Sequence, residues 1–417
     1  MRLADRGFLQ YATLLGILTF FTTSSVALEA GVMDRARPAY DAKGIKMGGF
    51  RLFPQLDLGI AYDDNVFRLP DAHSDWYFRE APAVRLRSQW GRHFLEFYGG
   101  LNHYDYGRFS SLNLTDWNMG AGGRYDVTYG SAIAVAASYG NYHEPLYSPN
   151  TVGNQEAPNQ YHKAHTNISA SYRPNRLGFD GGASIDQLTF GNTPKVGGGF
   201  INNADRDETE YQAYARTSYD FSPGYFAFLK AGYDERVFDQ ELDRSGFHRA
   251  STGYRVNAGV DMQISHLVQG EFFLGYLEQH FDKSGVLQLK NISGLDFGGK
   301  VDWFASERTT VHLTAARSVS DTIIKNVSAS DDRDIKLSGE YELKDNIVAL
   351  AYAGYTQSRL SGISRTDNYP STGGGIKYFI NEHLSATVNY DHTERSSNQA
   401  GAAYSDNTVT ARLTGHI

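Results

Sequence analysis

From Phe50 onward the apolar residues keep to one parity over long stretches, the period of two that marks a strand with one apolar and one polar face. Phe50, Leu52, Leu56, Leu58, Ile60 and Tyr62 share a face, opposed by Arg51, Gln55, Asp57 and Asp63. Pro54 is tolerated near a strand's start or at a bulge. The pattern returns in Trp117, Met119, Ala121, Tyr125, Val127 and Tyr129, opposed by Asn118, Arg124, Asp126 and Thr128. After Gly130-Ser131 the chain doubles back with Ile133, Val135, Ala137 and Tyr139, a hairpin of the kind short Gly-containing turns favour. The final residues repeat it, with Val409, Ala411, Leu413 and Ile417 on one face and Thr410, Arg412, Thr414 and His416 on the other.

Short turns are predicted at Gly91-Arg92, Gly130-Ser131, Pro174-Asn175-Arg176, Ser222-Pro223-Gly224, Ser265-His266, Ser306-Glu307, Lys344-Asp345 and Asn381-Glu382. Between them lie longer polar segments, Glu144 to Gln160, Asn192 to Glu208, Asp239 to Ala250, Thr322 to Asp334 and Ser396 to Ser405. Short turns alternating with long loops are the habit of barrels that cross the bacterial outer membrane, with periplasmic turns and extracellular loops. The expected fold is therefore all-β: a transmembrane, antiparallel, up-and-down outer-membrane β-barrel of about eighteen strands, occupying residues 50–417. An even count returns the C-terminus to the periplasmic side.

The N-terminus supports the same compartment. Arg2 and Arg6 precede the apolar run Tyr11 to Phe21, and Ser25-Val26-Ala27 offers a small-residue cleavage site, so residues 1–27 read as a signal peptide cut after Ala27. The run is shorter than the ~20 residues a membrane-spanning helix needs. Residues 28–49, with Arg35, Arg37, Pro38 and Lys43 but no periodic apolar face, read as an extended periplasmic lead-in or a docking arm for a partner.

Composition changes the picture in three respects. The 417 residues hold 28 Tyr, 24 Phe and 43 Gly with only 41% hydrophobic residues, which suits alternating strands better than apolar helices. Zero cysteines exclude disulfides and thiolate metal sites, leaving stability to the hydrogen-bond network and lipid contacts. A formal net charge of -8 excludes a general nucleic-acid binder, whose surface must be basic.

Parity also sorts the aromatics and charges. Tyr62, Trp76, Tyr129, Tyr139, Tyr172, Tyr219, Tyr233, Tyr276, Trp303, Tyr355 and Tyr390 fall near strand ends on the outward face, as two girdles at the lipid interfaces would require. Inward, Arg51, Arg79, Arg85, Arg87 and Arg412 would form a basic arc across the closing seam, favourable to an acidic polymer. Asp57 sits on the same inward face, and Asp180, Asp186, Asp220, Asp234, Asp261, Asp296 and Asp302 would carry acidic character around the wall. Cross-strand pairing that merely keeps the interior solvated is the competing reading of these charges. Tyr98, Tyr104, Tyr214, Phe228 and Phe273 would either offer a stacking track to sugar rings or fill space.

Catalytic chemistry finds no foothold. Asp331, Asp332 and Asp334, and Asp63 with Asp64, offer oxygen ligands but lack the ordered spacing of a calcium loop, and read as solvated loop residues. Gly197-Gly198-Gly199 and Gly373-Gly374-Gly375 lack the Lys-Ser or Lys-Thr pair of a phosphate loop. No HExxH spacing and no serine elbow occurs. The expectation is a channel rather than an enzyme, without cofactor or dedicated metal site.

One segment carries a resemblance. Residues 36–67 read ARPAYDAKGIKMGGFRLFPQLDLGIAYDDNVF, and Arg37-Pro38, Tyr40-Asp41, Gly44-Ile45, Gly49-Phe50, Pro54 and Tyr62-Asp63-Asp64-Asn65-Val66-Phe67 resemble the opening of the outer-membrane family called putative β-barrel porin 2. Barrels of this kind commonly finish on an aromatic residue, and Ile417 departs from that. Members of that family often accompany exopolysaccharide synthesis and export. The resemblance thus implies an outer-membrane conduit for an exopolysaccharide or capsular polysaccharide, working with periplasmic export machinery and standing in outer-membrane lipid and lipopolysaccharide. Two further readings stand beside it, a general or solute-selective diffusion porin and a plugged structural or adhesive barrel.

Overall fold

The computed structural model describes residues 30–146, 148, 150–151, 155–264, 267–283 and 287–417. The expected signal peptide with its cleavage after Ala27, and the turn expected at Ser265-His266, lie outside the described residues.

A short strand β1 (Ile45–Met47) leads into β2 (Phe50–Asp63), β3 (Asp75–Ser88), β4 (Phe94–Tyr106), β5 (Leu114–Thr128), β6 (Ser131–His143), β7 (Gln160–Tyr172) and β8 (Leu177–Phe190). The two-residue strands β9 (Thr193–Pro194) and β10 (Phe200–Ile201) pair with each other in an extracellular loop. The wall continues through β11 (Glu208–Ser222), β12 (Tyr225–Phe238), β13 (Ser251–Ile264), β14 (Val268–Phe281), β15 (Ile292–Ser306) and β16 (Thr309–Ser320). It ends with β17 (Ser330–Lys344), β18 (Ile347–Leu360), β19 (Arg365–Asn381), β20 (Leu384–Ser397) and β21 (Tyr404–His416). Each long strand pairs antiparallel with the next, and β21 pairs with β2 from Gln55↔His416 to Asp63↔Thr408, closing eighteen strands into a barrel.

The alternation that forms the strands also decides which side meets lipid. Leu229, Val256, Leu274 and Ile60 are 64%, 60%, 57% and 50% exposed, whereas inward Asp57 and Asp296 are 8% and 1% exposed. A soluble protein would invert that arrangement; a wall with its backbone paired strand to strand and its apolar face in hydrocarbon requires it. The expected girdle residues point outward, and the Tyr62 and Trp76 rings meet at 5.0 Å.

Two stretches that read as loop or linker are built differently. The acidic run after Thr322 is not all loop, because β17 begins at Ser330. Asp331, Asp332 and Asp334 therefore belong to the wall rather than to a solvated loop, and Asp332 is only 3% exposed. Three aspartates in four residues mask the strand because at the extracellular end both of its faces are polar.

Residues 28–49 are not an extended free arm where they are described. Residues 30–47 form a strap against the periplasmic rim. Val32 N–H donates to Thr310 Oγ1 at 3.0 Å, and Met33 N–H to Glu340 Oε2 at 2.8 Å. Arg35 reaches the Glu307 carbonyl and Glu342, and Arg37 reaches Glu342 at 2.9 Å and the Asp345 carbonyl at 3.2 Å. Arg37 also rides 5.0 Å over Phe379, Lys43 pairs with Glu382, and β1 then pairs with β2.

The segment Tyr62–Phe67 locks the closing seam. Asp63 and Asp406, from opposite sides of it, hold Arg68 at 2.8 and 2.9 Å. Asp64 accepts from the backbone and side chain of Asn407 at 2.7 and 2.6 Å, and Asn65 donates to the Ser405 carbonyl at 2.9 Å. Arg68 adopts a positive φ of 53°, in the left-handed region, to aim its guanidinium back.

Candidate functional site

The inner wall is the surface on which this architecture can act, so the placement of each inward residue matters. The arginines of the basic arc fall into two groups on one wall, Arg79 with Arg412 and Arg51 with Arg85 and Arg87, with Asp57 and Gln55 between them along β2. Gly59 pairs with Arg412 on one side and Arg79 on the other, Arg51 pairs with Arg87, and Arg85 pairs with Tyr98. A side chain at Gly59 would touch Arg412 Cγ at 3.4 Å and Arg79 Cβ at 3.9 Å, so the glycine lets the two arginines stand side by side. One carboxylate, Glu96, serves both Arg87 at 2.8 Å and Arg85 at 3.7 Å. Arg79 hydrogen-bonds the neutral Asn102 and Arg51 the neutral Lys43 carbonyl.

The aspartates around the rest of the wall are inward too, but most are matched locally. Asp186 meets Lys163 at 2.7 Å and His165 at 2.9 Å; Asp302 meets His312 at 2.6 Å and Lys300 at 3.1 Å. Asp261 pairs with Arg216, which also meets Glu271 at 3.2 Å and stands opposite Asp180 in the ladder. Asp234 accepts from Gln279 at 3.0 Å, Asp296 from Asn257 at 2.9 Å, and Asp57 from Gln55 at 3.2 Å. Asp220 lies at the periplasmic end, its backbone N–H bonded to the Arg176 carbonyl. The acidic side of the wall is thus partly neutralised by its own cations and otherwise satisfied by neutral amide donors.

The inward aromatics lie against the wall. Tyr98, Tyr214, Phe228 and Phe273 pair directly with Gly120, Gly182, Gly259 and Gly298 on the neighbouring strand. A Cβ at those glycines would fall 2.5, 2.6, 2.3 and 2.4 Å from the paired ring or its hydroxyl, so each ring covers its glycine. Such pairs shield glycine backbone and fix register. Phe228 is 4% exposed with the Arg216 guanidinium 3.8 Å over its ring, leaving no face for a sugar. Tyr104 packs between Tyr77 and His143, each 6.1 Å away. A projecting stacking track is not what these five residues form.

What sequence reasoning missed is a network of loops at the extracellular mouth. Arg249, 3% exposed, donates to Asp243 at 2.6 Å and to the carbonyls of Thr322, Val327 (3.0 Å) and Ile324 (3.2 Å), so it pins the 321–329 loop. That loop meets the 144–159 loop from almost the opposite side of the barrel, with Asn150 Oδ1 accepting from Thr322 Oγ1 at 2.9 Å and Ile323 N–H at 3.1 Å. Arg206 clamps Glu144 through two bonds of 2.7 and 2.6 Å. Arg244 binds Asp205 at 2.6 Å. Burial works against ionising Asp205, but the side-chain and backbone hydrogen bonds from Arg244 outweigh it and hold the carboxyl below its usual range. Nothing in the sequence flags these residues, because each partner lies in a different loop.

A closed barrel with an apolar outer belt, a charged inner wall and loops meeting across one mouth defines a porin-like outer-membrane protein. The chain belongs to the putative β-barrel porin 2 family, whose profile matches residues 37–416. No curated protein matches the chain. Among solved structures it is similar to the outer-membrane protein OpdK of Pseudomonas aeruginosa, at 11% identity and TM-score 0.45, covering 88% of this chain and 99% of that one. It is similar to a BenF-like porin of Pseudomonas fluorescens Pf-5 at 8% identity and TM-score 0.48, with 88% and 99% covered. The siderophore receptor PirA of Pseudomonas aeruginosa matches at 9% identity and TM-score 0.45, with 92% and 81% covered.

Proposed function

We propose that this barrel is the outer-membrane conduit for an acidic exopolysaccharide, a channel and not an enzyme. The observation that carries it is the basic arc. Arg51, Arg79, Arg85, Arg87 and Arg412 share one wall, with Glu96 paired to Arg85 and Arg87 and Asp391 near Arg412, while most of the opposite aspartates have a cation or donor of their own. A uronic-acid or similarly charged chain would meet two groups of guanidinium on one side of the lumen, and anions would gain local concentration there. The loops across the extracellular mouth then act as its gate, and the periplasmic strap narrows the other end where export machinery would dock.

The loop contact from Asn150 to Thr322 and Ile323 favours a second reading, a solute-selective porin, since a mouth crossed by loops suits small molecules in its resting state. Two measurements separate them. Deleting the gene should abolish surface polysaccharide while leaving the envelope intact; normal secretion removes the export reading. In planar bilayers the barrel should select anions, and Arg79→Glu with Arg85→Glu should shift the reversal potential toward cations. An unchanged reversal potential removes the basic arc from either reading.

A further inference from the structure

Of the eighteen strand-to-strand seams, the one between β15 and β16 has the shortest ladder. Between β15 and β16 pairing holds from Ser306↔Thr309 up to Gly298↔Ala316 and stops there. Above that point residues 292–297 pair only with β14, from Gln279↔Ile292 to Leu274↔Phe297, and residues 317–320 only with β17, from Arg317↔Arg333 to Ser320↔Ser330. The wall is split. Leu295, beside the split, pairs with the outward girdle residue Tyr276, so the split crosses the outer-leaflet interface and its foot opens into the apolar belt.

A bilayer-facing wall cannot leave strand edges open to hydrocarbon, because each unpaired backbone group there costs several kcal/mol. One side chain closes the gap. Arg317, 8% exposed, sends Nη1 across it to the Leu295 carbonyl at 2.6 Å, while Asp331 on β17 holds its Nε at 2.6 Å. Gly294 makes room: its φ of 144° lies in the region that favours glycine, and a Cβ there would come within 3.2 Å of Nη1. The latch is therefore one rotatable guanidinium in place of a run of ladder bonds.

Behind the split the barrel interior changes character. Phe247, Leu277, Phe281, Leu289, Ile292 and Ala329 form the buried apolar cluster of the described residues, under the loops on the lumen side, with Val319 of β16 packed against it. Apolar residues thus stand on both sides of a gap held shut by a cation. We propose that this split is a lateral gate, through which the hydrocarbon chain of an anionic amphiphile passes between the outer leaflet and the apolar cluster, its head group replacing Asp331 as the partner of Arg317. The route goes beyond polysaccharide conduction: it does not use the basic arc.

The chain has no cysteine, which makes the test clean. Leu295, 56% exposed, and Val319, packed against the interior cluster, would oppose each other if the ladder continued. The full-length Leu295→Cys with Val319→Cys variant is bridged by a bis-methanethiosulfonate reagent that reductant cleaves. Wild type, bridged and reduced barrels are placed in bilayers containing a fatty acid with a terminal diazirine, irradiated, and the labelled peptides identified. The expected result is label on Leu277, Phe281 or Leu289 in wild type, severalfold more in Arg317→Ala, and loss in the bridged variant with recovery on reduction. Label on the outward Ile335 and Leu337 should stay constant throughout and reports that the barrel is folded in the bilayer. Interior label that survives bridging, or interior label absent from both wild type and Arg317→Ala, overturns the gate. Neither outcome touches the reversal-potential test of the basic arc.

Discussion

Arg249→Ala should unfasten the extracellular gate. In the folded protein Arg249 is 3% exposed and neutralises Asp243, itself 8% exposed, while tying down three carbonyls of the 321–329 loop. Truncation leaves a buried carboxylate without its cation. Breaking a buried pair by removing one partner costs about 3–5 kcal/mol. If that loss falls on the docked loop alone, its docking equilibrium shifts by a factor of about 10²–10⁴. The loop stays tethered through Ser328 N–H to the Ser361 carbonyl at 2.8 Å and Ser361 N–H to the Ala329 carbonyl at 2.9 Å, so the barrel itself should survive. Amide exchange across residues 322–327 should accelerate within that range, and single-channel conductance should rise with longer open dwell times. Arg249→Lys, which keeps the charge but loses the fork, should fall between. Unchanged exchange together with unchanged conductance would refute the idea that this arginine holds a gate.

Three other expectations follow from the same contacts. Arg68→Ala strands Asp63 and Asp406, 4% and 3% exposed, at the seam; it should cost about 3–5 kcal/mol and lower the urea midpoint of the folded barrel, and an unchanged midpoint would show that the ladder closes alone. Gly259→Val places a Cβ 2.3 Å from the Phe228 ring and 2.4 Å from the Phe272 carbonyl, so the heat-modifiable gel shift of a folded barrel should vanish, while Gly122→Ala, with 3.7 Å of room, should keep it. The Asp205 carboxyl is held below its ordinary value of 3.8, so the Arg244 clasp is stabilising above that value and is lost as pH falls through the lowered one. A nitroxide at Leu242→Cys should therefore keep constant mobility down to about pH 4 and loosen only below it; a transition centred well above that would assign the loop to another group.

The barrel was legible because a period of two needs no knowledge of the partner strand. Tyr62, Trp76 and Tyr390 could be assigned outward from their own neighbours in the chain, and seven of the eight expected short turns fall between described strands at the expected places. Register was not legible, and what register controls was misread. Whether Tyr214 projects into the lumen depends on Gly182 standing directly opposite, and whether Asp186 charges the wall depends on Lys163 and His165 one strand away. Asp331, Asp332 and Asp334 looked like loop because only the alternation of Asp332 and Asp334 with Arg333 and Ile335, once the strand is known, separates their faces. The arginines were the hardest. Arg249, Arg206 and Arg317 act through partners distant in sequence, and in a linear reading they resemble any solvated cation.

The periplasmic strap has a consequence for the order of assembly. Its contacts join residues 32–37 to Thr310, Glu340, Glu342 and Asp345, separations of about 270–310 positions, although the strap is made first. Its docking surface does not exist until β16 to β19 are in register, so the earliest part of the barrel-bearing chain is among the last to find its place. The strap is in effect a seal applied after closure. A barrel stalled short of its final strands would leave the Arg35–Ala36 bond open to a trypsin-like protease, and a finished one would hold Arg35 against Glu307 and Glu342, which gives the envelope a chemical mark distinguishing complete barrels from incomplete ones.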